Sequence, residues 1–353
     1  MRTTYAGTDE IPRLANAYTS VAQVVRESGL MRRARGFYLG VGIVLTLALG
    51  GIGAGFVLLG DSWLQLLMAA ALGIVFTQAA FLAHEASHGQ IMATGPANKR
   101  LARILGGVIG MSMSWWDDKH NAHHRNPNRV GRDPDIEVDT ISFLAEDAAR
   151  SKGLLAVITR RQGWLFFPLL MFEGLNLHFL SIKHLVSREP RPGRWIELGL
   201  IAAHFAILLI PVFLMLPLGM AFAFIGVQMA VFGVYMGASF APNHKGMPII
   251  APDAKLDFFS KQVRTSRNIS GGWWATAMYG GLNHQVEHHL FPAMARPHLA
   301  RAREIVRDYC QSNNVPYTET TVLQSYAIVI RYLNEVGLSA RDPWACPMSA
   351  QLR

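Results

Sequence analysis

The sequence predicts an all-α integral membrane protein. It reads as four transmembrane helices in two hairpins, with a cytosolic helical cap that holds a histidine-rich di-metal site. Three observations carry this reading. Hydrophobic residues make up 51% of the 353 positions and charged residues only 16%, too apolar a balance for an ordinary soluble domain. Four apolar runs are long enough to cross a bilayer. Eight of the 13 histidines fall into three tight groups in the segments between and after those runs.

The first pair of runs covers 37–59 and 62–83, broken at Asp61, and neither contains Lys or Arg. The second pair covers 195–216 and 218–240 and hinges at Pro217. At ~1.5 Å rise per residue each run reaches about 30 Å, the thickness of the hydrocarbon core. The membrane domain is then 37–335, with 84–194 and 241–335 forming the cap. Residues 1–36 are an amphipathic cytosolic lead-in, and 336–353 are a tail.

The charges orient these elements. All 33 Lys and Arg lie before residue 37, within 84–194 or after residue 240. The hairpin tips near Gly60 and Pro217 carry none. Positively charged loops stay cytosolic, so both termini and the cap should face the cytosol. The formal charge of +9 is explained by this topology and calls for no nucleic acid; it also suits anionic lipid, a phosphorylated acyl carrier or an acidic electron donor. Arg26–Arg35 is basic, but the run behind it is too long for a signal-peptide core, so no cleavable signal is expected. Cys310 and Cys346 are too far apart in sequence to form a CxxC pair or a disulfide framework.

Within the cap, Leu101–Trp116 is apolar and Gly-rich and reads as a short interfacial helix. Trp164–Ile182 is also apolar but contains Glu173, Asn176 and His178. Because intramembrane ionisable groups are costly, a helix lying in the interface or against the protein is preferred to a fifth span. Asp133-Pro-Asp135 and Arg188–Gly193 read as turns. From Pro297 onward two amphipathic helices are expected, with Pro297 in a first turn and Gly337 ending the second.

The histidine groups are His84-Glu-Ala-Ser-His88, His120-Asn-Ala-His123-His124 and His284-Gln-Val-Glu-His288-His289. Spacings of three and four residues place imidazoles on one helical face. Two hairpins bring all three groups to the same side of the membrane. Eight imidazoles exceed the needs of one metal ion, so two metals fit better. An imidazole-rich site of low negative charge suits an iron pair that activates oxygen. His244, emerging after the fourth run beside Asn243, is a further candidate ligand, with Asn243 supporting it through a bound water or a hydrogen bond. His204 and His298 read as ordinary structural histidines, and His178 and His184 as intermediate cases. The first group also fits HExxH, in which Glu85 would be the general base of a zinc protease. A metal transporter is another alternative. In the di-iron reading, Glu85 instead orients an imidazole from behind.

The stretch Ser114-Trp-Trp-Asp-Asp-Lys-His-Asn-Ala-His-His-Arg-Asn-Pro-Asn128, followed by Asp133-Pro-Asp-Ile136, resembles the second histidine box of the membrane fatty acid desaturases. Gln262–Asn268 and Gly280–Pro292 resemble the approach to the third box and the box itself, in the QxxHH form of the front-end (linoleoyl-CoA-like) group. The resemblance covers roughly 35–335. It implies two iron ions, O2 as co-substrate, a fatty acyl substrate (acyl-CoA or acyl-lipid) and two electrons from a donor. Residue by residue, it implies ligands at His84, His88, His120, His123, His124, His288 and His289, with Gln285 in the variable position and His284 beside it. Many front-end enzymes carry a fused cytochrome b5 domain. Only 36 residues precede the first span here, so the resemblance implies an external ferredoxin, flavodoxin or NADPH-dependent reductase, and a bacterial cell membrane. Trp115, Trp116, Trp273 and Trp274 flank the boxes and are candidates for the acyl path. Lys119 and Lys245 are candidates for the carrier's head group. A hydroxylase or ketolase with the same metal site is the nearest rival.

Overall fold

The computed structural model describes residues 16–339 except 188 and 190. The C-terminal tail beyond 339, Cys346 and part of the Arg188–Gly193 turn therefore lie outside the described residues. A short amphipathic helix, α1 (Ala17–Glu27), precedes the long apolar α2 (Arg35–Leu59) and α3 (Gln65–Ser87). The cap begins with α4 (Gly95–Val108), α5 (Met113–Arg125), α6 (Ala145–Arg150), α7 (Gly153–Thr159), α8 (Gln162–Leu170) and α9 (Glu173–Leu185). Two further long apolar helices follow, α10 (Arg194–Met215) and α11 (Leu218–His244). The chain ends with α12 (Phe258–Thr265), β1 (Arg267–Ser270), α13 (Trp273–Met278), α14 (Gln285–Leu290), α15 (Arg296–Ser312), β2 (Thr318–Thr321) and α16 (Val322–Leu338). Among the described residues, α2, α3, α10 and α11 are long and apolar enough to cross a membrane.

The four long helices match the expected runs, but two of them extend further. Helix α3 continues through His84 to Ser87, and α11 continues through Pro242 to His244. These extensions put histidines on the last turns of two spans. Helices α3 and α11 are the most closely associated pair in the molecule. A Cβ on Gly73 of α3 would come within 2.8 Å of the Gln228 carbonyl on α11. The apolar core along this seam contains Phe76, Ala79, Ala80, Phe224, Phe232 and Met236.

Three expectations about the cap are corrected. Leu101–Trp116 is not one helix. It is the end of α4 and the start of α5, separated by a turn in which Gly110 has φ 72° and Ser112 caps α5 by accepting from Trp115 N. Trp164–Ile182 is also not one helix, but the pair α8 and α9, bent by 72°. The bend follows the surface of α11, where Gly174 and Gly233 allow the backbones to meet. Gly337 does not end α16. It lies inside the helix, where a side chain would run into the Thr159 carbonyl. One element was absent from the all-α reading: β1 and β2 form a two-stranded parallel sheet, pairing Arg267 with Thr318 through Ser270 with Thr321.

A side chain at position 233 should unseat the α8–α9 pair. A Cβ there would collide with the Leu170 carbonyl and lie 2.7 Å from Gly174 N. Gly233→Val is expected to cost about 1–3 kcal/mol, the usual penalty for overpacking. Thermal unfolding of the detergent-solubilised protein measures it, and an unchanged midpoint would contradict this packing account.

Candidate metal centre

The helices that carry the three histidine groups and His244 present their C-terminal ends to one place. His84 lies in the last turn of α3 and His88 is its C-cap. His123 and His124 are in the last turn of α5, with His120 one turn earlier. His244 is the final residue of α11, and His288 and His289 close α14. Helix C-termini carry partial negative charge, which favours a cation beyond them.

The imidazole nitrogens fall into two groups, and His123 is also grouped with the carboxylates of Asp133 and Asp135. His84, His88, His120, His124 and His288 form one, and His123, His244 and His289 form the other. Within each group the nitrogens lie within 4.8 Å of one another. Neighbouring residues on a helix point about 100° apart. The His123–His124 and His288–His289 pairs are thereby split, one member to each group.

The nitrogens fit metal ions. His120 Nε2 lies 3.1 Å from His84 Nε2, 2.9 Å from His88 Nε2 and 2.9 Å from His124 Nε2. A neutral imidazole nitrogen is either one donor or one acceptor, so it cannot satisfy three partners at once. A cation between the four nitrogens can.

In the second group all three Nδ1 atoms face outward acceptors. His123 Nδ1 donates to Asp133 at 3.0 Å, His244 Nδ1 to the Thr265 carbonyl at 2.9 Å and His289 Nδ1 to Gln262 Oε1 at 3.0 Å. These bonds fix the tautomers and leave three Nε2 lone pairs turned toward each other, His123 and His244 being 3.3 Å apart. The Nε2 atoms of His288 and His289 are buried without a hydrogen-bond partner.

Burial keeps most of these rings neutral. It pushes His88 down to about 4 and holds His120, His124, His288 and His289 well below the ordinary histidine value, with neighbouring imidazoles adding to the effect. Burial acts the same way on His123, but Asp133 and Asp135 outweigh it and raise that ring.

The remaining predicted residues separate clearly. Gln285 lies beside the second group, its amide 2.9 Å from His244 Nε2 and its Oε1 accepting from Asn243 Nδ2 at 3.2 Å. His284 belongs to neither group; its Nε2 lies 3.3 Å from Thr276 Oγ1. Glu85 does not support an imidazole. Its carboxylate is held by Arg296 at 2.8 and 2.5 Å and by the Tyr38 hydroxyl at 3.2 Å. Arg296, 211 residues away, ties the start of α15 to α3 through this pair.

Trp116 stacks on His120 with ring centroids 4.0 Å apart, and Trp115 packs against the core along α3 and α11. Trp273 and Trp274 face outward, 85% and 47% exposed. Lys119 pairs with Asp135 at 2.7 Å, and Lys245 donates to the Asp135 carbonyl at 2.7 Å while lying over the Phe143 ring. Both ammonium groups therefore have internal partners. His204 and His178 hydrogen-bond the Val108 and Ile109 carbonyls at 2.8 and 3.0 Å, capping the C-terminal end of α4.

Sequence reasoning missed the outer acceptors. Asp133, read as part of a turn and of the second-box resemblance but not as a support for an imidazole, also accepts from Asn128 N at 2.6 Å. Gln262 was noted only as an approach to the third box. An acid ten residues after His123 was the available signal for Asp133. The Thr265 carbonyl leaves no mark in a sequence.

Two converging imidazole sets, carried in part by the ends of two apolar helices of membrane-spanning length, point to an integral membrane protein with a histidine-rich metal centre. Comparison with known proteins narrows the class. Residues 61–321 match the fatty acid desaturase family, and the chain belongs to that family. It is 31% identical over 301 residues to a Δ8 fatty-acid desaturase of Helianthus annuus, covering 80% of this chain and 65% of that one. It is 27% identical to a Δ8 fatty-acid desaturase of Borago officinalis, covering 96% and 79%, and 26% identical to a Δ6 fatty-acid desaturase of Caenorhabditis elegans, covering 92% and 76%. The match thus spans about two-thirds of the sunflower protein.

Asp133→Asn keeps an acceptor for His123 but removes the charge behind it. Metal affinity at the second group should fall on the order of 10–100-fold. Metal content measured after dialysis against graded chelator tests this, and retention equal to the parent protein would exclude the role.

Proposed function

We propose that this protein is an O2-dependent desaturase that introduces a double bond into a fatty acyl chain at a di-iron centre. The observation that carries the proposal is the crowding at His120 Nε2, where three other imidazole nitrogens lie within 3.1 Å. One iron would be held by His84, His88, His120, His124 and His288, and the other by His123, His244 and His289, with Gln285 and Asn243 beside that second set. Imidazole donors suit iron, and an incomplete set leaves room for oxygen. The iron pair, when bound, supplies the oxidising power. In the overall reaction one CH2–CH2 unit, one O2, two electrons and two protons become CH=CH and two waters.

The chain's own residues position and exclude. Asp133, Gln262 and the Thr265 carbonyl hold three imidazoles in the orientation that faces inward. Trp116 covers His120 and borders the apolar seam between α3 and α11, so an acyl chain lying there would reach the centre without water. Regioselectivity would then come from where the chain is held, by positioning and not by acid–base chemistry. The zinc-protease alternative loses support because Glu85, its required base, is engaged by Arg296 and Tyr38.

The basic cap, flanking apolar helices whose intervening turns carry no Lys or Arg, supports a cytosolic active site. The same rule supports two hairpins with both termini on that side. Electrons would arrive from a protein donor in the cytosol.

Expression in a host lacking such enzymes, with an electron donor supplied, should yield new double bonds in its lipids. Mapping those bonds by mass spectrometry tests the proposal. A hydroxylated product without alkene would overturn desaturation, and active protein containing one zinc and no iron would overturn the di-iron centre. His123→Ala should abolish turnover while the protein stays in the membrane.

A further inference from the structure

The geometry points to the surface formed by α12 and the C-terminal end of α5 as the docking site for an acidic electron-carrying protein. This inference rests on the desaturase reading, since only such a reaction draws electrons into the centre. It starts from charges that have no internal counterpart. Arg125 and Lys255 are exposed, and Arg129, Lys261 and Arg264 are half-buried. Lys261 donates to the Arg125 carbonyl at 2.5 Å, and Arg264 lies one turn further along α12. Arg129 binds the Ala254 carbonyl, next to Lys255. Burial, and after it the Arg129 guanidinium, push the Lys261 ammonium below its ordinary value. Asp253 and Asp257 share this loop, yet none of the five cations forms an ion pair among the described residues.

The basic helix α15, by contrast, is neutralised internally. On α15, Arg296 pairs with Glu85, Arg301 with Glu304, Arg303 with Glu319 and Arg307 with Asp308. Unpaired like charges held together are a cost to the folded chain, and an acidic partner removes that cost while steering its own approach. The patch is also bonded directly to the metal centre. Gln262, next to Lys261, accepts from His289 Nδ1 at 3.0 Å and donates to the His124 carbonyl at 2.9 Å. One side chain at the base of the patch therefore touches a histidine segment of each metal group. A carrier seated on Lys261 and Arg264 would stand one residue from both.

The test uses iron-loaded protein in phosphatidylcholine nanodiscs and three acidic carriers: a [2Fe–2S] ferredoxin, a flavodoxin and a cytochrome b5. At least one should bind, with affinity that falls as salt is raised. The double variant Lys261→Glu/Arg264→Glu should weaken that binding by about tenfold or more, while Arg301→Glu on α15 leaves it unchanged. Turnover driven by dithionite should be the same in the double variant and the parent, which also reports that the variant is folded. Lys261→Gln/Arg264→Gln should give an intermediate loss. Binding of none of the three carriers, or equal binding by the double variant, would overturn the assignment. So would a defect confined to the KM for acyl-CoA, which would make the patch a phosphate site for the acyl carrier. Parent protein that binds a carrier yet shows no acyl turnover with it or with dithionite would sink the desaturase reading and leave the docking surface standing.

Discussion

The fold depends on one electrostatic constraint: a set of buried imidazole lone pairs that cannot satisfy each other. Around His120 Nε2 four nitrogens meet within hydrogen-bonding distance, and around His289 three Nε2 lone pairs converge. Buried acceptors turned on one another repel, and a cation is the simplest group that reverses the sign. The chain's architecture supports that cation at longer range, because α3, α5, α11 and α14 all end at the centre. Their terminal carbonyls add partial negative charge from several directions. The two long helices that carry the candidate ligands are also the two that pack most closely, so the seam between them and the histidine cluster favour one arrangement.

The second requirement is that each imidazole present the correct nitrogen. For His123, His244 and His289 this is enforced from outside, by a carboxylate, a backbone carbonyl and a glutamine amide. The carboxylate is itself held. Asp133 accepts from the backbone of Asn128, which sits at φ 54°, and Asn128 Nδ2 donates back to the His244 carbonyl at 3.1 Å. The loop after α5 is therefore part of the metal centre, fixed to the end of α11 by one asparagine. Asn can adopt this left-handed backbone at modest cost, and its amide then reaches the span.

What could be read from the sequence was what is local. The four apolar runs and the spacing within the first two histidine groups are local properties of single helices, and they hold in the structure. The partner of Glu85 was not readable, because Arg296 comes 211 residues later and nothing near Glu85 distinguishes an ion pair from support of an imidazole. The broken helices in the cap were missed for a related reason. Apolar periodicity across Trp164–Ile182 is continuous, and the 72° bend is set by the close approach of Gly174 and Gly233 between elements. Likewise Lys119 and Lys245 read from the sequence as candidates for the carrier's head group, because nothing local marks Asp135 as the partner of both.

The third histidine group shows how far helical spacing can be trusted. His284 and His288 are four residues apart, as are Gln285 and His289, so spacing alone allows either pair to share a face. The helix begins only at Gln285. His284 is the residue before it, with φ −104° and ψ 55°, and a side chain on that backbone does not continue the helical face. His284 consequently points to Thr276, while Gln285, inside the first turn, follows His289 toward the second group and meets His244. Position 285 thus lies beside the second group, where Gln285 presents an amide, and the third imidazole of that group is His244, supplied by the end of α11.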